Sequence, residues 1–258
     1  MNNIATAELK ERLGALPPAE SITWLNMMLY GEPGVGKTYF LGTAQDHKAT
    51  SPLCIIDIDG GISTLRHRKD IDVIQVRSVK QLVAAYRELF NAIPSDGKKF
   101  PYGTIGIDTL SELQALDLVE VMKEFSKVND KIDPDVPDQR GYGKSSTHMR
   151  QLVRAFRDLP CNTIFNCHSS SDRDNNMKMI VFPKLVGKLR IDIPGFLDIV
   201  GYYRAESNGD GVTRYMQFQK TETAIAKDRT GAFDAVEVDP TVPSLWSKLA
   251  TTNEGESK

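Results

Sequence analysis

Gly31-Glu32-Pro33-Gly34-Val35-Gly36-Lys37-Thr38 fills every position of the pattern G-x-x-x-x-G-K-[ST]. Each fixed residue type has a job on a polyphosphate. The glycines let backbone N–H groups turn inward around a phosphate, and the helix that follows adds the partial positive charge of its N-terminus. Lys37 is long enough to reach the β and γ phosphates, and the Thr38 hydroxyl is a hard oxygen suited to Mg²⁺. With Tyr39 next in the chain, residues 31–39 form the candidate contact set for ATP.

A metal held by one hydroxyl needs a carboxylate across the site. Ile105-Gly106-Ile107-Asp108 ends a short apolar run in such an acid, so Asp108 and Thr38 are the expected metal pair. The plain alternative for Asp108 is a cap on the helix behind it. Cys54-Ile55-Ile56-Asp57-Ile58-Asp59-Gly60-Gly61 ends another apolar run in two acids, expected on opposite faces by strand alternation, so that only one faces the nucleotide. Asp59 lies nearer the carboxyl edge, where open α/β sheets bind ligands, and is the candidate to polarise an attacking water. An Asp-Gly turn is the alternative.

The elements that must position these residues alternate. Runs at 24–30, 53–58, 72–76, 104–107 and 162–167 read as strands. Helical patterns separate them: one after the glycine-rich turn to about Asp46, one from a Ser78 cap to about Ile93, one over about 111–125, and one carrying Met149, Leu152, Val153, Phe156 and Leu159 at helical spacing. Strands alternating with helices imply an α/β fold whose mostly parallel sheet is covered on both faces. Residues 126–144 and 169–176 read as long polar loops. Strands at 199–204 and 213–219 around Asn208-Gly209-Asp210-Gly211 read as a C-terminal hairpin. Residues 1–22, with a short helix ending at Leu16-Pro17-Pro18, read as an arm and a candidate for oligomerisation, 23–245 as the domain, and 246–258 as a tail.

Composition narrows the class. The 258 residues are 40% hydrophobic and 26% charged, with net charge −2, which fits a globular core and excludes a globally basic nucleic-acid binder. Within 140–190, however, ten Lys and Arg stand against three acids, a local +7. Arg150, Arg154 and Arg157 of that window line one helix face, whose plain reading is a solvated surface. Cys54, Cys161 and Cys167 include no C-x-x-C pair and suit a reducing cytosol. No apolar run reaches the roughly 18 residues of a membrane span, so a cytoplasmic protein without membrane contact is expected.

These residues together resemble the RecA-like recombinases, and within them the phage-type Sak single-strand annealing ATPases, over about residues 22–235. The resemblance implies a RecA-like core and DNA-stimulated ATP hydrolysis. It also implies single-strand annealing or strand exchange in a phage-type system inside a bacterial cytoplasm, with a single-stranded-DNA-binding protein as a collaborator. Asp59 aligns with the family's water-activating glutamate but is one carbon shorter, about 1.5 Å. Ile164-Phe165-Asn166-Cys167-His168 resembles the family's γ-phosphate sensor segment, with His168 where glutamine is usual. Ala226-Lys227-Asp228-Arg229-Thr230-Gly231 resembles the Lys-Asn-Arg-Phe-Gly motif of the RadA branch, whose cations reach a neighbour's nucleotide. Lys227 and Arg229 are thereby implied to act in trans in a head-to-tail homo-oligomer, filament or ring. Residues 126–147 and 169–180 correspond to the loops that hold single-stranded DNA, which implies contacts from Arg140, Tyr142, Lys144, Arg173 and Lys178. From composition alone His168 reads equally as a solvated histidine, 227–231 as a charged turn and the two loops as solvated chain. Two other functions fit the same residues: a nucleotide-gated scaffold with little turnover, and a ring-forming helicase-like motor.

Overall fold

The structure is a computed structural model that describes residues 9–14, 24–95, 99–173, 177–209 and 211–255. Its centre is a run of six parallel strands in the order β7-β1-β5-β4-β2-β3. They are β1 (Asn26–Gly31), β2 (Leu53–Asp57), β3 (Asp72–Gln75), β4 (Thr104–Asp108), β5 (Asn162–Arg173) and β7 (Ile199–Ser207). Four antiparallel strands complete the sheet: β6 (Met179–Pro183) on β5, β8 (Val212–Gln217) and β9 (Lys227–Asp228) on β7, and β10 (Val236–Val238) on β8.

Central strands are apolar on both sides because both faces are covered. Met28, Tyr30, Cys54 and Ile56 point to one face. There they meet Leu82 and Leu89 of helix α2 (Val79–Asn91), Leu113 of α3 (Leu110–Val128), Met149, Val153 and Phe156 of α4 (Gln139–Arg157), and Leu189 and Ile193 of α5 (Leu189–Phe196). Met27, Leu29, Leu53 and Ile55 alternate to the other face, against Phe40 and Leu41 of α1 (Lys37–Gly42) and Val242, Leu245, Trp246 and Leu249 of α6 (Val242–Gly255). The expected α/β class, with helices on both faces and a C-terminal hairpin formed by β7 and β8, is the fold observed.

Three expectations are corrected. The stretch 126–144 is not one loop: α3 runs to Val128 and α4 begins at Gln139, capped by Asp138, whose Oδ1 accepts from Gly141 N at 2.7 Å. A glycine at 141 lets α3 and α4 approach closely, since a Cβ on it would stand 2.4 Å from Met122 Sδ. The stretch 169–173 extends β5, and its return as β6 makes a hairpin whose tip, 174–176, lies outside the described residues. Finally, the segment from 246, expected as a tail, is helix through Gly255 with Trp246 and Leu249 in the core. Of the N-terminal arm, residues 9–13 are helical and expose Leu9 and Leu13; 1–8 and 15–22 lie outside the described residues.

Trp246→Ala is expected to cost about 3–5 kcal/mol, the range for emptying a buried aromatic site. Denaturant unfolding checks this, and a loss below about 1 kcal/mol would return α6 to the status of a tail.

Candidate functional site

The carboxyl ends of β1, β2, β4 and β5 converge on one edge. β1 stops at Gly31, α1 starts at Lys37, and the five residues between form the glycine-rich turn. Gly31 has no room for a side chain: a Cβ would stand 2.1 Å from the Tyr203 carbonyl oxygen of β7, a backbone atom that cannot yield. Gly36 has φ 105°, a conformation L side chains rarely adopt. Its open side faces Arg214 of β8, whose Nε donates to the Val35 carbonyl at 3.0 Å. Gly31→Ala is therefore expected to lower the melting temperature by several degrees, the cost of overpacking being about 1–3 kcal/mol. An unchanged thermal melt counts against this packing.

Lys37 is buried, and its Nζ donates to the carbonyls of Gly31 at 3.0 Å and Glu32 at 2.8 Å. Burial lowers its pKa, and the carboxylates of Asp108, Asp59 and Glu32 and the Cys167 sulfur oppose that shift. Thr38 Oγ1 donates to Asp108 Oδ2 at 2.7 Å. Burial pushes the Asp108 carboxyl up, while the hydrogen bond from Thr38, the nearby Asn166 amide and the charge of Lys37 hold it down. The two expected metal ligands thus meet, seventy positions apart in the chain. Among the described residues no group of three His, Cys, Asp or Glu could hold an ion. A hydroxyl plus one carboxylate is what Mg²⁺ takes from a protein when phosphates and water supply the rest, so the pair fits that metal.

The two acids at the end of the β2 segment are sorted by where the strand stops. Residues 57 and 59 have the same parity, so alternation along a strand would not separate them; β2 ends at Asp57. Asp57 is buried and makes the turn itself, its Oδ1 accepting from Gly60 N at 2.9 Å while Arg77 Nη2 lies 3.7 Å from Oδ2. Asp59 sits in the bend beyond the strand. Its backbone N–H donates to the Asp108 carbonyl at 3.1 Å, and Gly61 lies against Thr38, with 3.8 Å from a would-be Cβ to the hydroxyl. The Asp59 carboxylate, 38% exposed, approaches His168 Nε2 at 3.4 Å.

β5 lies between β1 and β4, so residues on its face sit between the glycine-rich turn and Asp108. His168 is level with Gly31. Burial and the charge of Lys37 lower its pKa, with Lys184 adding to the shift and Asp59 and Asp108 opposing it. Asn166 has no role assigned by the sequence pattern of that segment. It is fully buried, and neither side-chain atom has a hydrogen-bond partner of good geometry among the described residues, while its amide favours the ionised form of Asp108. A polar residue at a buried position of an apolar strand was the available signal. Arg214 was also missed, since nothing in its local sequence places it on the glycine-rich turn.

The remaining candidates lie elsewhere. Lys227 and Arg229 are at the opposite, amino edge of the sheet, where β9 pairs with Ile199 and Val200. Lys227 Nζ donates to the Pro194 carbonyl at 2.7 Å, and Arg229 donates to the Gly195 carbonyl at 3.0 Å and lies 3.6 Å from Asp198. Arg140, Tyr142 and Lys144 occupy the first turns of α4, not a loop. Arg140 pairs with Asp138 at 3.1 Å and Lys144 with Glu124 at 2.7 Å. Arg173 ends β5, and Lys178 pairs with Glu222 beside β6. Two arginines of the stripe on α4 face α5, Arg150 bonding Asp192 at 2.6 Å and Arg154 lying 4.3 Å from the centre of the Phe196 ring, while Arg157 pairs with Asp158 at 2.7 Å.

A parallel sheet whose first strand opens into a phosphate-cradling turn, with the turn's hydroxyl bonded to an acid two strands away, defines a P-loop nucleotide-binding core. The chain belongs to the AAA domain family, whose model matches residues 23–230. Among solved structures it is similar to a KaiC-like protein of the hyperthermophilic archaeon Pyrococcus horikoshii, at 12% identity and a TM-score of 0.42, covering 84% of this chain and 89% of that one. It is also similar to the flagellar accessory protein FlaH of Methanocaldococcus jannaschii, at 12% identity and a TM-score of 0.40, covering 91% and 92%. No curated protein matches. Among the described residues no helix is long and apolar enough to cross a membrane.

Proposed function

We propose that the chain hydrolyses ATP with Mg²⁺ and couples this to holding single-stranded DNA, as a head-to-tail homo-oligomer in annealing or strand exchange of the phage Sak type. One observation carries the nucleotide half: the 2.7 Å bond between Thr38 and Asp108 at the foot of the glycine-rich turn. Residues 31–39 cradle the phosphates, Lys37 neutralises their charge, and Thr38 and Asp108 hold the metal, which supplies charge stabilisation at the transferring phosphoryl group. Asp59 orients the attacking water and takes its proton.

The DNA half is supported by continuity. β5 runs unbroken from Asn166 and His168 at the nucleotide edge to Arg173 in the hairpin, and five residues of strand span about 17 Å. A shift at the nucleotide therefore reaches the hairpin without crossing a loop. Beside it, a groove of about 370 Å³ is lined by Tyr142, Ser170, Phe182 and Leu118, so Tyr142 could stack a base there. The ion pairs of Arg140 and Lys144 are exposed, and such pairs are worth only about 0–1 kcal/mol, a small obstacle to exchange for phosphate.

Binding to single-stranded DNA is expected to weaken steeply with salt and to be indifferent to sequence. Replacing Arg140 and Lys144 together by Ala should cut the slope of log affinity against log salt by roughly 1 to 2, about one per lost phosphate contact. Fluorescence anisotropy over a salt series measures this, and a flat response sinks the DNA reading. The short Asp59 carboxylate favours one rival, a nucleotide-gated scaffold. That reading requires ATP turnover to be unmoved by single-stranded DNA, whereas the ATPase proposed here is stimulated.

A further inference from the structure

The geometry points to His168 as a positioning residue for Asp59, the pair working as one unit, and not as an independent reader of the γ phosphate. This rests on the ATPase reading above and reassigns one of its residues. Asp59 and His168 each depart from the residue the resemblance implies at the nucleotide, and they face each other: Oδ2 to Nε2 is 3.4 Å. That spacing is long for a hydrogen bond and typical of catalytic contacts before a substrate closes on them.

The tautomer follows from the partners. An ionised carboxylate only accepts, so the nitrogen facing Asp59 must carry the hydrogen. His168 Nδ1, on the other side of the ring, is buried and has no hydrogen-bond partner among the described residues. A proton there would be a buried donor without an acceptor, which is costly. The surroundings agree: burial first, then the charges of Lys37 and Lys184, disfavour the imidazolium, against Asp59 and Asp108. The ring is thus neutral with its one hydrogen on Nε2, aimed at Asp59.

Such a bond does what the missing carbon of a glutamate would otherwise do. Asp59 stands in a bend beyond β2 with its carboxylate 38% exposed, and a short side chain in a bend has no fixed aim. Held by Nε2–H, one carboxylate oxygen is pinned and the other is free for water. In the reaction the water proton passes to that oxygen as the new O–P bond forms. The bond from the γ phosphorus to the bridging oxygen breaks, and its electron pair leaves on ADP. The proton then departs through the exposed carboxylate, while the hydrogen on Nε2 stays in place.

A double-mutant cycle tests the unit, with ATP binding measured alongside by a fluorescent ATP analogue. His168→Ala is expected to lower kcat by about 10²-fold, the low end of a general-base contribution, with analogue affinity near wild type. His168→Gln keeps a donor and should recover most of the loss. Asp59→Asn with His168→Ala should be no slower than Asp59→Asn alone, because the second change acts only through the first. If the two losses multiply, or if His168→Ala weakens the analogue tenfold, His168 reads the phosphate by itself and the proposal is wrong. Imidazole ¹⁵N NMR of the nucleotide-free protein gives a second readout: the hydrogen on Nε2 in wild type and a mixture of tautomers in Asp59→Asn. A hydrogen on Nδ1 overturns the pairing whatever the kinetics. Absence of any wild-type turnover with Mg²⁺ and ATP overturns the ATPase reading instead, and the tautomer still decides the pair.

Discussion

Lys37→Ala is expected to lower ATP turnover by at least about 10³-fold, at or beyond the upper end of what one donor to a developing negative charge contributes, while the chain stays folded. The ammonium is buried, which lowers its pKa, and Asp108, Cys167, Asp59 and Glu32 oppose that shift. That arrangement is useful only if negative charge arrives beside it. From sequence alone Lys37 is a point charge with no structural duty. The structure amends this, since its Nζ bonds the Gly31 and Glu32 carbonyls. Losing two such bonds costs about 1 kcal/mol each, and removing a buried ammonium offsets part of that. The variant should therefore melt within a few degrees of wild type. Steady-state turnover and a thermal melt check both halves. Turnover within tenfold of wild type would falsify the phosphate assignment, and a collapsed melt would move Lys37 from chemistry to architecture.

The residues whose position follows from the backbone were legible in the sequence. The glycine-rich turn identifies itself because its fixed types answer to backbone geometry: Gly36 has positive φ and Gly31 touches the Tyr203 carbonyl. Asp108 was legible because a strand end is marked by the last residue of an apolar run. Asp59 was chosen for its nearness to the carboxyl edge, and it is indeed the acid beyond the strand. Strand alternation does not separate Asp57 from Asp59, which share a parity; the strand stops at Asp57, and that residue closes the turn. Periodicity could not supply that.

Other features depended on contacts between distant segments. α4 carries two glycines and a polar first half, which read as loop; its start is set by the Asp138 cap, and Gly141 lets Met122 of α3 pack close. β5 outlasts its apolar run because β6 pairs with its polar half, from Ser169 opposite Pro183 to Arg173 opposite Met179. Backbone pairing needs no apolar side chain, so polarity alone did not reveal it. α6 was hidden by the polar residues at its end, although Trp246 and Leu249 sit at helical spacing on the face that meets α1 and its following turn.

Equal mixing of Arg229→Ala with Lys37→Ala is expected to restore ATPase activity that neither variant has alone. Lys227 and Arg229 lie beside Ile199 and Val200, which pair near Met27 and Met28 at the far end of β1 from the glycine-rich turn. Three to four residues of strand put about 10–13 Å between those levels, too far for either cation to serve its own chain's phosphates. Within the chain they face the end of α5, Lys227 on Pro194 and Arg229 on Gly195, where helix carbonyls favour cations. Burial and the charge of Arg229 lower the Lys227 pKa to about 8. Lys227 is thus weakly held as a cation in the single chain and would gain from a neighbour's phosphate. In a head-to-tail assembly the Arg229→Ala chain brings an intact pocket and the Lys37→Ala chain an intact cation pair. Roughly a quarter of the interfaces in a random equal mixture are then complete, as heterologous contacts require. Turnover should rise to a comparable fraction of wild type once subunits exchange, followed by turnover alongside native mass spectrometry. If mixed oligomers form and activity stays at the level of the separate variants, the cations are a cap on α5 and nothing more.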